Sequence, residues 1–146
     1  MTDAVIVSTA RTGIGRAYKG SLNNTKSPTL AGHVIAESVK RAGIEGAEVD
    51  DVILGTVLSI GTAGMNLGRN AALTAGLPAT VAGQTMDRQC ASGLMAIATA
   101  AKQIIVDGMD IVVAGGHENI TAAQKAYFDS MSGTFDEALI KRSANA

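Results

Sequence analysis

The sequence has a single cysteine, Cys90, at the junction of two local patterns. A β-prone run with Thr80, Val81, Thr85 and Met86 stops, and an apolar helical pattern begins at Ala91. The first turn of a helix carries unpaired backbone N–H groups and the positive end of the helix dipole. A thiol held there has its thiolate favoured and becomes a nucleophile near neutral pH. Ala91, Ser92 and Gly93 follow, all small, so a substrate can approach the backbone closely. An amide N–H at the turn can donate to an oxyanion formed beside the sulfur. Gly93 early in a helix is unfavourable by about 1 kcal/mol relative to alanine, which points to close packing or close approach. The layout follows the logic of a nucleophile elbow, although G-x-S-x-G itself is absent. A lone cysteine among apolar residues also serves as a small buried hydrophobe, so position alone leaves both readings open.

Other chemistries fail at a required residue. Gly15 and Gly20 have phosphate-loop spacing after an apolar run, but Ser21 stands where the lysine must be, and Tyr18 breaks a G-x-G-x-x-G reading. His117-Glu118 opens like the zincin H-E-x-x-H, but Thr121 replaces the second histidine, so no metal is expected. Glu48, Asp50 and Asp51 read as a solvated acidic turn. His33 falls on the polar face of a helix and reads as a surface histidine. His117 and Glu118 sit where a strand ends, at the edge where α/β folds place their sites, and are expected to support the site from behind.

The elements that must position these groups alternate along the chain. Val5, Ile6 and Val7 read as a short strand buried on both faces. Ser27 and Pro28 open a helix with Ser27 as N-cap; Leu30, Ala31, Val34, Ile35, Val39 and Ala42 share one face, and Gly43 ends it. A strand is expected over Val52 to Leu58. A helix capped by Asn66 then runs to Gly76, and Pro78 prevents its continuation. Next come the central strand that ends before Cys90, a helix from Ala91 to Val106, and a strand from Asp110 to Ala114. That helix carries Leu94, Ile97, Ala98, Ala101, Ile104 and Ile105 on one face and Met95, Ala96 and Ala100 on the other. A helix apolar nearly all round belongs inside something larger. Thr134-Phe135-Asp136-Glu137 has the form of a capping box before a last short helix. The pattern defines an α/β fold with a mixed, mainly parallel sheet and helices on both faces.

Composition narrows the partners. Twelve basic residues against thirteen acidic give no electrostatic case for nucleic acid. Only 17% of residues are charged and 47% are hydrophobic, which suggests more buried surface than a free-standing domain of this size has. One cysteine rules out an internal disulfide and suits a reducing compartment. No secretory signal is read at the start, and Lys102, Gln103 and Asp107 break the most apolar helix, so no membrane span and a cytoplasmic location are expected.

Five segments carry a resemblance. Asp87-Arg88-Gln89-Cys90-Ala91-Ser92-Gly93-Leu94-Met95-Ala96-Ile97 resembles the nucleophile motif of the thiolases, the acetyl-CoA acetyltransferases. Ala4-Val5-Ile6-Val7-Ser8-Thr9-Ala10-Arg11-Thr12 is similar to the family's first strand and turn, and Val49-Asp50-Asp51-Val52-Ile53-Leu54-Gly55 to a following strand. Gly68-Arg69-Asn70-Ala71-Ala72 and Asp110-Ile111-Val112-Val113-Ala114-Gly115-Gly116-His117-Glu118 match two more, in the family's order. Asp87 replaces the usual Asn, His117 the commoner Met, and Gly13 the usual Pro.

The resemblance implies an N-terminal thiolase-like half-fold over residues 1–120, a β-α-β-α-β-α-β core, with residues 121–146 opening a loop domain. It implies acyl transfer between coenzyme A thioesters, with Cys90 as the nucleophile that forms an acyl-cysteine and its backbone N–H as one oxyanion donor. Coenzyme A or acetyl-CoA enters as substrate, no tightly bound cofactor is expected, and the coenzyme A contacts are not assignable to particular residues. A homodimer or tetramer is implied, because the strand leading to the nucleophile lies at the family's dimer interface. The family's Gly-His-Pro histidine, Asn-Glu-Ala-Phe asparagine and Cys-x-Gly-Gly cysteine have no counterpart in these 146 residues, so the chain alone is expected to be incomplete. The alternative is a non-catalytic interaction module that keeps the fold and dimerises.

Overall fold

The computed structural model describes residues 3–131 and 136–144. Helix α1 (Ser27–Ala42) leads through a 3-10 turn (Gly46–Glu48) to strand β1 (Asp51–Gly55). A second 3-10 turn (Gly61–Ala63) precedes α2 (Leu67–Thr74), and β2 (Ala82–Met86) follows. Then come α3 (Ser92–Lys102), a π-helical turn (Gln103–Asp107), β3 (Val112–Gly116), α4 (Ile120–Met131) and α5 (Glu137–Ser143). The strands form one sheet in the order β2-β1-β3, and both pairings are parallel. Asp51 aligns with Ala82 and Val112, and Gly55 with Met86 and Gly116. All three strands therefore end together.

β1 is the centre, and it is buried along its whole length. Its alternation splits the core by face. Val52 and Leu54 pack with Ile35, Val39, Leu67 and Ala71 of α1 and α2. Ile53 points the other way, onto Ala96 and Ala100 of α3. Each large aliphatic side chain buried in this way contributes about 1.5–3 kcal/mol. The expected α/β layering, with helices on both faces, is what the chain forms.

α1 ends as expected at Gly43, whose positive φ of 71° closes the helix in the left-handed region. Its start differs: the N-cap position is Lys26, and Ser27 lies inside the first turn. There the Ser27 N–H donates to Thr62 Oγ1 at 3.2 Å, so a neighbouring loop, and not Ser27's own hydroxyl, satisfies this helix terminus. Asn66 does cap α2, its side chain accepting from Arg69 N.

Three expectations are corrected here. Val5, Ile6 and Val7 are exposed and pair with no strand; the segment is tied to α1 through Ser8 Oγ donating to Ser38 O (2.7 Å) and Arg41 Nη1 donating to Thr9 O (2.8 Å). A three-residue run lies at the lower limit of strand length and gains little from a ladder on its own. Among the described residues nothing covers it, and a cleft of about 850 Å³ separates it from α3 and β3. The second correction concerns β2, which lies at an edge of the sheet and is only partly buried. Third, Asp50 and Asp51 are not a solvated cluster. Asp51 is 4% exposed and accepts from Val52 N, Gln84 Nε2 and Gln103 Nε2, at 2.8, 2.9 and 2.9 Å. Asp50 Oδ2 accepts from Asp110 N and Ile111 N, fixing the entry to β3. Thr134 and Phe135 of the capping box lie outside the described residues, while Asp136 caps α5 by accepting from Ala138 N and Leu139 N.

Candidate active site

Cys90 is exposed, on the turn that joins the end of β2 to α3. The helix begins later than the pattern suggested. Ala91 is the N-cap and Ser92 the first helical residue, so Cys90 stands just before the first turn and not within it. Tight turns before the helix cause the delay: Ala91 N donates to Arg88 O at 3.1 Å and Ser92 N to Gln89 O at 3.0 Å.

Gln89 has φ 52°, a left-handed conformation that costs a residue with a Cβ about 1–2 kcal/mol. Two side chains hold it there. Asp87 Oδ1 accepts from Gln89 N at 2.8 Å; an asparagine offers the same oxygen, so the exchange of Asn for Asp at this position leaves the turn intact. From the helix side, the buried Ser92 hydroxyl accepts from Arg88 N at 2.8 Å and donates to Gln89 O at 2.6 Å. Strain clamped from both ends fixes the backbone next to the thiol.

Glycines let α3 seat its end directly on the sheet. A Cβ on Gly55 would collide with the Ser92 carbonyl, and one on Gly116 would come within 3.0 Å of Gly93 Cα. A Cβ on Gly93 would meet Gly116 Cα at 3.3 Å, so close packing is the reason for a glycine at the start of this helix. The Cys90 turn is thereby lodged at the C-terminal edge of the parallel sheet, the edge where α/β folds bind ligands.

His117 and Glu118 lie at the same edge, at the end of β3, but are engaged with β1. His117 N donates to Gly55 O at 3.0 Å. Its ring is mostly buried, Nε2 has no hydrogen-bond partner among the described residues, and burial pulls its pKa below the ordinary value, with the charge of Glu118 opposing. Glu118 accepts from Val57 N (2.8 Å), Thr56 Oγ1 (3.2 Å) and Leu58 N (3.2 Å). Sequence reasoning placed both residues beside the site but missed Asp87, Gln89 and Ser92 as the groups that shape the turn. The available signal was an Asp two residues before a left-handed position and a Ser at the start of a helix.

Fold and turn together define an α/β protein that presents a cysteine between an edge strand and a core helix. The chain belongs to the thiolase family: the thiolase N-terminal domain matches residues 4–143. It is 45% identical over 133 residues to the acetyl-CoA acetyltransferase of Cupriavidus necator, covering 91% of this chain and 33% of that protein. It is 38% identical to the 3-ketoacyl-CoA thiolase of Bacillus subtilis, covering 97% of this chain and 40% of that one. The crystal structure of the Bacillus anthracis acetyl-CoA acetyltransferase superposes with a TM-score of 0.79 at 45% identity, over 84% of this chain and 31% of that one. The chain thus spans between about a third and two fifths of the length of these relatives.

Proposed function

We propose that this chain is the nucleophile-bearing part of an acyltransferase acting on coenzyme A thioesters, of the acetyl-CoA C-acetyltransferase or 3-ketoacyl-CoA thiolase type. The observation that carries the reading is an exposed cysteine on a strained, doubly clamped turn at the C-terminal edge of a parallel sheet. The Cys90 thiolate attacks the thioester carbonyl carbon; a new C–S bond forms, the bond to the coenzyme A sulfur breaks, and that sulfur leaves as a thiolate that takes up a proton. The coenzyme A thiolate or the enolate carbon of acetyl-CoA then attacks the acyl carbonyl carbon; a new C–S or C–C bond forms, the bond to the Cys90 sulfur breaks, and Cys90 leaves as the thiolate it began as. The Cys90 backbone N–H serves as one oxyanion donor. Enolate formation needs a positioned base, and the family's histidine and second cysteine have no counterpart in these residues, so the full reaction needs groups from outside them.

On the same reading the coenzyme A thioester is substrate and not resident cofactor, residues 121–146 open a loop domain, and the working assembly is a cytoplasmic homodimer or tetramer with no nucleic-acid or membrane partner. The experiment is direct. The protein is incubated with acetyl-CoA and examined by intact-mass and peptide mass spectrometry, with Cys90→Ala as control. An acetyl group on Cys90 that is absent from the control is the expected result. Failure to acetylate, together with slow iodoacetamide labelling of Cys90, overturns the proposal in favour of a non-catalytic dimerisation module.

A further inference from the structure

We propose that Glu118 is a positioning residue for the Cys90 turn, acting through the segment Thr56–Leu58; the inference rests on the nucleophilic role proposed for Cys90. Three donors on three consecutive residues, Thr56 Oγ1, Val57 N and Leu58 N, converge on the one carboxylate. Two successive amides and a hydroxyl aimed at one point form a small anion-binding cluster, here filled by the chain's own carboxylate from the end of β3. The connection runs on to the nucleophile. Thr56 is buried and its N–H donates at 3.0 Å to the carbonyl of Met86, the last residue of β2. Asp87 follows Met86, and its carboxylate holds Gln89 in its left-handed conformation next to Cys90. On the other side, His117 N fixes Gly55 O, and Gly55 lies flat against Ser92, the second clamp of the turn. Both routes start at the His117–Glu118 pair and end at the two side chains that hold Gln89.

Removing the carboxylate frees two backbone amides and a buried hydroxyl, and the segment that bonds the end of β2 loses its anchor. Small displacements of an attacking atom slow a reaction steeply, so Glu118→Ala is expected to acylate Cys90 about tenfold or more slowly under conditions where both proteins are folded. Because formate carries the same carboxylate group, formate at constant ionic strength is expected to restore most of the rate, while chloride does not. Thr56→Val removes one of the three bonds and keeps the charge; its expected loss is smaller, about two- to fivefold.

The measurement is the initial rate of acetyl transfer from acetyl-CoA to Cys90 by mass spectrometry, beside the rate of iodoacetamide labelling of the same thiol across pH. Acylation of Glu118→Ala within twofold of the wild type, or a slowed rate that formate leaves unchanged, overturns the proposal. If wild-type Cys90 takes no acetyl group, the nucleophile reading has failed separately. Labelling by iodoacetamide then still decides the positioning claim, and identical labelling profiles for wild type, Thr56→Val and Glu118→Ala refute it. Should Glu118→Ala not fold, Thr56→Val and Glu118→Gln carry the same comparison.

Discussion

Ser92→Ala isolates the clamp on the Cys90 turn. The Ser92 side chain makes two bonds within the turn, to Arg88 N at 2.8 Å and Gln89 O at 2.6 Å, from a residue only 3% exposed. Alanine fits the same space and removes both. Gln89 O keeps the Ser92 amide at 3.0 Å, whereas Arg88 N loses the hydroxyl that accepted from it. Each bond lost is worth about 1 kcal/mol, and Arg88 is exposed enough for water to replace part of the second. The expected loss is therefore about 1.5–2 kcal/mol. With a urea slope of about 1–3 kcal/mol per molar, the unfolding midpoint falls by about 1 M. Thr99→Ala is the control, because its hydroxyl donates to Met95 O within one helix; its midpoint should move by less than about 0.3 M. A Ser92→Ala midpoint no lower than that of the control refutes the claim that this hydroxyl holds the turn.

Gly55→Ala places a methyl group into the Ser92–Gly93 backbone, which has no flexible atom to give way, so a loss of about 3 kcal/mol or more in urea unfolding is expected; a loss under about 1 kcal/mol shows that α3 can lift off the sheet freely. For His117, burial lowers the folded pKa below its ordinary value near 6.5, so the unfolded chain binds the proton more readily. Its contribution to stability is then fully present above about pH 6.5 and is lost as the pH falls through that value towards the depressed folded one. Urea midpoints on either side of that value should fall with acid in the wild type and fall less in His117→Gln; parallel acid limbs count against the assignment.

Much of the fold was readable because the local signals agreed with the global outcome. The α1 face, the Gly43 terminus, the Asn66 cap and the apolar core of β1 all follow from spacing and residue type. What could not be read depended on partners distant in sequence. Asp50 and Asp51 look like any acidic turn until Gln84, Gln103 and the start of β3 supply their hydrogen bonds from 33 to 61 residues away. Ser27 looks like an N-cap until Thr62, 35 residues on, takes its amide. Val5–Val7 has a strand's composition, but composition cannot say whether a second layer is there to cover it. At the site, the placement of Cys90 at a strand–helix junction and the reason for Gly93 were legible in the run of small residues. The strain at Gln89 was marked only indirectly, by Asp87 two residues before it and Ser92 at the helix start, because glutamine itself carries no signal for a left-handed conformation.

The orientation of α3 connects the packing to the proposed chemistry. Seen as a sequence, the helix is apolar on every side; in the structure its small residues, Ser92, Ala96 and Ala100, face the sheet. Its large ones, Leu94 (72% exposed) and Ile97 (42%), and beyond them Ile105 and Val106, face outward. By length and hydropathy the 19 residues Gln89–Asp107 could cross a membrane. Two features argue for a protein layer instead. Gln103 Nε2 donates to the buried Asp51, tying the far end of the helix to the foot of β1, and the glycine contacts seat its near end against β1 and β3. A bilayer would have to break both and take Lys102 into the span, a charge that costs free energy inside the hydrocarbon. A covering protein layer needs neither, and it would leave Cys90 at the seam between the two layers, reachable from the edge where the three strands end.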